Sequence, residues 1–354
     1  MPAGVGTPVI AGEAFAAGLR TEFLNLYERR YKAVQERLSQ LMRLNIPSTR
    51  NEEDYFYYES APHVKRWVRG DEMATKGFKG VKWSVPNYEW AEGVSWHFAA
   101  RQDAQTKNLV DHARGLGESY ALLQERIFFQ LLQGTTDPDL LPDAATMTAP
   151  DGATLFSATH GSGDDRFGIT GGNTLTGTGT TVSKIRNDFF SALVRFKLFK
   201  DTEGQPMWSD SFLDGPYIIV YPAQMEESMR EAFTQRFHVQ DSSGIGQVTA
   251  QATGTSAVVS GMSPSVSNVV LDSGQKVKLW GTQRLSDAND YFIFMASSDV
   301  KPIFSQERQP LTDVVETFEN SDTVRRTGIE SIRFLSRHGF GLSLPYSILK
   351  VTNS

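Results

Sequence analysis

With 354 residues, the chain has room for a large core and two or three subdomains. Its 35 Lys and Arg against 41 Asp and Glu leave a formal net charge of −6, which argues against a dedicated nucleic-acid binder. There is no cysteine, so disulfides, thiol nucleophiles and Cys-ligated zinc are excluded. No apolar run approaches the roughly 20 residues that span a bilayer, so no membrane partner is expected. The opening MPAGVGTPVIAGEAF lacks the basic and apolar regions of a secretory signal.

In chain order, Phe15, Leu19, Phe23, Leu26, Tyr31, Val34, Leu38 and Leu41 fall on one face of a predicted helix over 15–44. Ile46–Pro47 should end it. Such a stripe does not say whether it packs on its own chain or on a neighbour. Tyr55–Tyr58 form a short aromatic extended segment. From Arg69 the pattern alternates. Val81, Trp83 and Val85 share one face, and Val94, Trp96 and Phe98 another, which predicts two strands joined near residues 86–92. The period then changes to three or four at Leu109, Ala113, Leu116, Tyr120, Leu123, Ile127 and Leu131, predicting one long helix over 106–133 that Gly134 stops. A hairpin alone is marginally stable and needs a surface. This one presents Trp83, Trp90 and Trp96 among Arg66, Arg69, Lys76, Lys79, Lys82 and Arg101, so a second subunit is the simplest surface.

Residues 135–180 are rich in Gly, Thr, Asp and Pro and read as loop. A second helix follows, with Thr181 as N-cap and Ile185, Phe189, Leu193 and Phe196 as its stripe. GPYIIVYP reads as a buried strand leading to a helix opened by Pro222, Glu226 and Glu227. The Gly/Ser/Thr-rich stretch 242–267 reads as an exposed loop or irregular hairpin. Residues 269–280, 291–295 and the tail 323–351 carry further strands, giving an α+β fold overall.

No catalytic constellation emerges. The six histidines lack the spacings that bind zinc. His160, in SATHGSGDDRF with Asp164 and Asp165, is the one candidate general base of a soluble hydrolase, but no partner group is evident and a polar loop is the favoured reading. GTSAVVSG is not a nucleophile elbow, and no phosphate-binding glycine loop is present, so no cofactor is expected.

The order of parts, and the strings RWVRGDEMATKGFKGVKWSVPNYEWAEGVSWHFAARQD, DGATLFSATHG and GPYIIVYPAQMEESMREAF, resemble the Mu-like major head subunit family of tailed-bacteriophage major capsid proteins. The resemblance implies the tailed-phage capsid fold. Its expected parts are an N-terminal arm (1–68), an extended β-arm loop over a neighbour (69–105), a peripheral domain with a spine helix (106–214), an axial domain (215–301) and return strands (302–354). It implies a non-enzymatic subunit that forms pentamers and hexamers of an icosahedral shell in the bacterial host cytoplasm, with scaffolding, portal and decoration proteins as further partners and double-stranded DNA held non-specifically. In this plan Arg69, Lys76, Lys79, Lys82, Trp83, Trp90, Trp96 and Arg101 form the arm interface, and Gly115 and Gly117 a spine hinge. Lysine–asparagine links between subunits occur in some relatives of the fold, whereas solvated arm lysines are the simpler expectation. An encapsulin-type bacterial compartment shares the architecture and is the alternative.

Overall fold

The computed structural model describes residues 12–58, 66–67, 72, 80–102, 107–137, 139–141, 147–160, 172–200, 204–234, 237–239, 265–267 and 274–353. The chain divides into two compact units. One is built from residues 1–58, 78–155 and 301–344, the other from 59–77, 156–300 and 345–354.

In the first unit, helix α1 (Gly12–Leu38) buries Phe15, Leu19, Phe23, Val34 and Leu38, the stripe read from the sequence. It ends six residues before the predicted stop. Met42–Pro47 instead forms strand β1, parallel to β11 (Ile303–Glu316), with Asn45 at φ 51° beside a register shift. Sheet pairing here overrides a helical period. The turn that follows is held by Glu53, whose Oε1 accepts from Thr49 N at 2.6 Å and Arg50 N at 2.9 Å. Those backbone donors hold its carboxyl below the usual range.

Strand β2 (Glu52–Tyr58) pairs antiparallel with β3 (Gly80–Pro86). Strand β4 (Tyr88–His97) does not pair with β3 but with β12 (Ile329–Leu342), in unbroken register from His97↔Ile329 to Tyr88↔His338. The predicted hairpin of 81–85 with 94–98 is therefore corrected. A single residue, Asn87, separates the strands, too few to fold one back on the other, and each takes a partner distant in sequence. The resulting sheet has the order β1-β11-β12-β4. Pro310 sits within β11 where the register shifts and β1 has already ended, a position at which a missing N–H costs no ladder bond.

A short helix α2 (Phe98–Gln102) leads to α3 (Lys107–Ala121) and α4 (Leu123–Gln133). The expected single helix is interrupted at Leu122, and Gly134 closes α4 at φ 65°, as its lack of a Cβ permits. Helices α1 and α3 cover one face of the sheet. Phe15, Leu19, Phe23, Trp96, Ala113, Ile332 and Phe334 form their shared core. The first of the two readings of the N-terminal stripe thus holds, since residues 12–47 belong to the chain's own core rather than to a separate arm.

The second unit holds a five-stranded sheet ordered β5-β13-β10-β6-β9, from β5 (Thr174–Thr176), β6 (Tyr217–Pro222), β9 (Val277–Thr282), β10 (Tyr291–Met295) and β13 (Ile348–Thr352). All of β6 and β10 is buried, as continuous apolar runs require. Around it are α5 (Val182–Leu198), α6 (Asp210–Leu213), α7 (Glu226–Thr234) and a small ladder of β7 (Phe237–Val239) with β8 (Ser265–Ser267). Ile185, Phe189, Leu193 and Phe196 are buried as predicted. Thr181 stands at the N-cap of α5 but makes no side-chain capping bond. Buried Arg186 ties α5 to α7 by donating to the carbonyls of Ala232 and Glu231 at 3.0 Å each. Helix α5 and strand β13 both lie in this unit, so its limits differ from the expected 215–301. Within the described residues of 242–267, only Ser265–Ser267 is seen, as a strand. A short helix α8 (Asp322–Thr327) completes the first unit.

Candidate subunit-interaction site

The aromatic and basic residues singled out in the sequence fall in three distinct settings. Lys82 and Trp83 lie on the β2–β3 ladder. Tyr55, opposite Trp83, stacks on its ring at 5.7 Å, and Lys82 Nζ pairs with Asp54 Oδ2 at 3.0 Å. Phe56, next along β2, is 56% exposed, a large apolar ring in water. Trp83 is half-buried, and its indole N–H has no hydrogen-bond partner. The ladder is anchored by Gln306, which is fully buried on β11. Its Oε1 accepts from Tyr55 Oη at 2.7 Å, and its Nε2 donates to Val85 O and Asn87 Oδ1 at 3.0 Å each. Burial pushes the Tyr55 hydroxyl up to about 12, so it stays a donor.

Trp90 is half-buried on β4. It donates to His338 O at 3.2 Å and packs edge-on against Phe340. Trp96 is only 4% exposed, contacts Phe15 edge to face, and donates at 2.7 Å to the fully buried carboxylate of Glu330. The expectation that Trp96 is an exposed contact is therefore corrected. It faces α1, because it shares the inward face of β4 with Val94 and Trp90. Arg69, Lys76 and Lys79, like the side chain of Arg101, lie outside the described residues.

Gly115 and Gly117 both sit inside regular α3, while the interruption is at Leu122. A Cβ at Gly115 would meet nothing within 4 Å, but one at Gly117 would lie 2.6 Å from Phe23 O on α1. Gly117 is thus where two helices cross at close range. A sequence could flag a small residue at such a crossing only if its partner were known.

His160 is buried at 1% exposure in the second unit, and Asp164 and Asp165 lie outside the described residues. Among the described residues, no cluster of three His, Asp or Glu side chains is arranged to hold a metal ion. No helix is long and apolar enough to cross a membrane. The structure presents an aromatic, charged ladder at 52–58 and 80–86, and a ten-residue strand, β4, at the edge of its sheet.

Residues 14–185 match the model of the Mu-like prophage major head subunit gpT family. Over that stretch, just under half of its length, the chain is similar to the Mu-like major head subunit family. Its fold is similar to the mature capsid of bacteriophage PhiM1, at TM-score 0.51 and 11% identity over 89% of this chain and 86% of that one. It is equally similar to the capsid of Myoviridae phage XM1, at TM-score 0.51 and 10% identity over 89% and 90% of the two chains. No curated protein matches in sequence. The matched stretch contains the β2–β3 ladder, β4, α3, α4 and nearly all of α1, the elements that carry the candidate contacts. Strands β11 and β12 of the first unit lie beyond that stretch.

Proposed function

We propose that this major capsid protein builds the head shell of a tailed phage as pentamers and hexamers, enclosing double-stranded DNA, and performs no catalysis. The observation that carries the reading is the coincidence of a head-subunit sequence match over 14–185 with a capsid fold over 89% of the chain. In this reading the first unit is the peripheral domain and the second the axial domain. The β2–β3 ladder is the base of an arm that reaches a neighbouring subunit. Phe56 and Trp83 supply apolar area for that contact, and the basic residues from Arg66 to Lys82 supply charge against an acidic protein. A net charge of −6 makes DNA contact weak and non-specific. Assembly in the host cytoplasm with scaffolding and portal proteins, and a decoration protein on the finished shell, completes the proposal.

Sedimentation velocity of the purified chain tests it. The expected result is a homogeneous species of many subunits, formed reversibly or on crowding. A 39.3 kDa monomer under every condition, including with its phage's scaffolding protein, would overturn it.

A further inference from the structure

Strand β4 ends its sheet with one side unpaired. The bond from Phe98 N to Gly328 O, just past the register pair His97↔Ile329, fixes the phase of the ladder. Even-numbered residues from Tyr88 to Trp96 bond to β12, so the N–H and C=O groups of Glu89, Ala91, Gly93, Ser95 and His97 point away from the sheet. Gly93 N agrees with that phase, since it donates to the side chain next to it, Glu92 Oε1, at 3.0 Å. The two edges of this sheet differ. At the far edge, β1 is blunted by the register shift beside Asn45 and by Pro47. Strand β4 carries no lysine and no proline, and its register with β12 has no bulge. An edge without such devices is a template for another strand.

The residues along this edge also match themselves in reverse. Two copies of β4, antiparallel about a twofold axis at Gly93, place Ala91 opposite Ser95 and Glu89 opposite His97, with every residue from 89 to 97 paired. Ala91 and Ser95 are small and exposed, so their meeting brings no clash. The Glu89 side chain is 73% exposed. His97 Nδ1 accepts from Ala99 N at 3.2 Å, which leaves the ring proton on Nε2 as a donor for that carboxylate. Moving the axis by one residue loses this pair, because Glu89 would then face Ser95 or Ala99. On the α3 side a groove of about 760 Å³ borders the edge, lined by Gly93, Ser95 and Gly115 among others. Gly115 is exposed, and a Cβ there would meet nothing within 4 Å of its own chain. In the paired arrangement both α3 helices lie on the same face of the sheet, and the missing side chains at Gly115 leave room for their approach across the axis.

We infer that β4 is a self-complementary contact, joining β4 of a second copy about a twofold axis at Gly93, so that two four-stranded sheets run into one of eight strands. Main-chain bonds supply the attraction and the reversed match of side chains sets the register. Glu92 must release Gly93 N as the second strand arrives. The inference rests on the shell-subunit reading, because a closed icosahedral shell is what brings two copies together about a twofold axis.

The chain's lack of cysteine allows a direct test. Ala91→Cys and Ser95→Cys are made separately, and particles assembled from each alone and from an equal mixture are oxidised. Pairing about Gly93 sets position 91 of one copy against 95 of the other, and holds like positions four residues apart along the strands, about 13 Å, too far for a disulfide. The mixture should therefore give a covalent dimer on a non-reducing denaturing gel, about tenfold more than either variant alone. Well-formed mixed particles with no dimer, or as much dimer from a single variant, overturn the inference while leaving the shell reading intact. A parent chain that never assembles overturns both. As a second measurement, Ala91→Lys with Ser95→Lys sets like charges directly opposite, whereas Ala91→Lys with Ser95→Glu sets opposite charges there. Both variants should keep the parent's circular dichroism and melting temperature. The first should lose particle yield about tenfold and the second recover it to within about twofold. Equal yields from the two refute the proposal.

Discussion

Two glycines one turn-fraction apart on α3 should respond to alanine with opposite signs. Alanine is favoured over glycine inside a helix by about 1 kcal/mol, through chain entropy and propensity. At Gly115 nothing lies within 4 Å of the new Cβ, so Gly115→Ala should stabilise the subunit by about that amount. At Gly117 the Cβ would stand 2.6 Å from Phe23 O, with Phe23 C at 3.3 Å and Phe23 Cα at 3.4 Å. Those are backbone atoms of α1, which cannot rotate aside, so the two helices must separate and their shared core loosen. Overpacking of this kind costs about 1–3 kcal/mol, which leaves Gly117→Ala net destabilising by up to about 2 kcal/mol. Urea unfolding of the unassembled subunit, followed by tryptophan fluorescence, resolves differences of this size. Equal stabilisation by both substitutions would refute the helix-crossing account.

Trp96→Ala should cost the subunit about 3–5 kcal/mol, since it empties a core site and strips buried Glu330 of a donor; a melting temperature unchanged from the parent contradicts that placement. Trp83→Ala, on the half-buried ladder, should leave a folded subunit that fails to assemble, and normal particles from it would remove Trp83 from the interface. His338 lies between Glu307 and Tyr88 in the sheet register, with Nδ1 unpartnered, and burial lowers its pKa to about 4. The unfolded chain therefore takes up the proton first, so stability falls as pH drops from about 6.5 to 4, by about 3 kcal/mol for this group. Glu307, raised by burial, acts in the opposite sense. His338→Gln should flatten the difference in urea midpoint between pH 7 and pH 4, and an unchanged slope refutes the assignment.

Periodicity located most elements but not their partners. The stripes of α1, α3 and α5 and the apolar runs of β6 and β10 were legible because burial on one face, or on both, leaves a period in the sequence. Pairing leaves no such mark. Trp83 and Trp96 alternate alike, yet one strand joins β2 and the other joins β12, more than 200 residues further on. Strand β11 was hidden by Pro310, which normally argues against a strand and is tolerated here beyond the end of β1. Gln306 and Glu330 are polar residues whose type carries no mark of burial, yet both are fully buried and bonded, one anchoring the ladder and the other Trp96. The separation of the two units at 155–156 was equally silent, since the stripe of α5 does not name the sheet it packs against.

A single chain that closes an icosahedral shell must occupy both five- and sixfold positions. Electron microscopy of particles assembled from the purified subunit and its scaffolding protein measures this directly. Class averages of closed shells with both pentameric and hexameric capsomers are the predicted result, and a population of discrete, non-closing oligomers would contradict it.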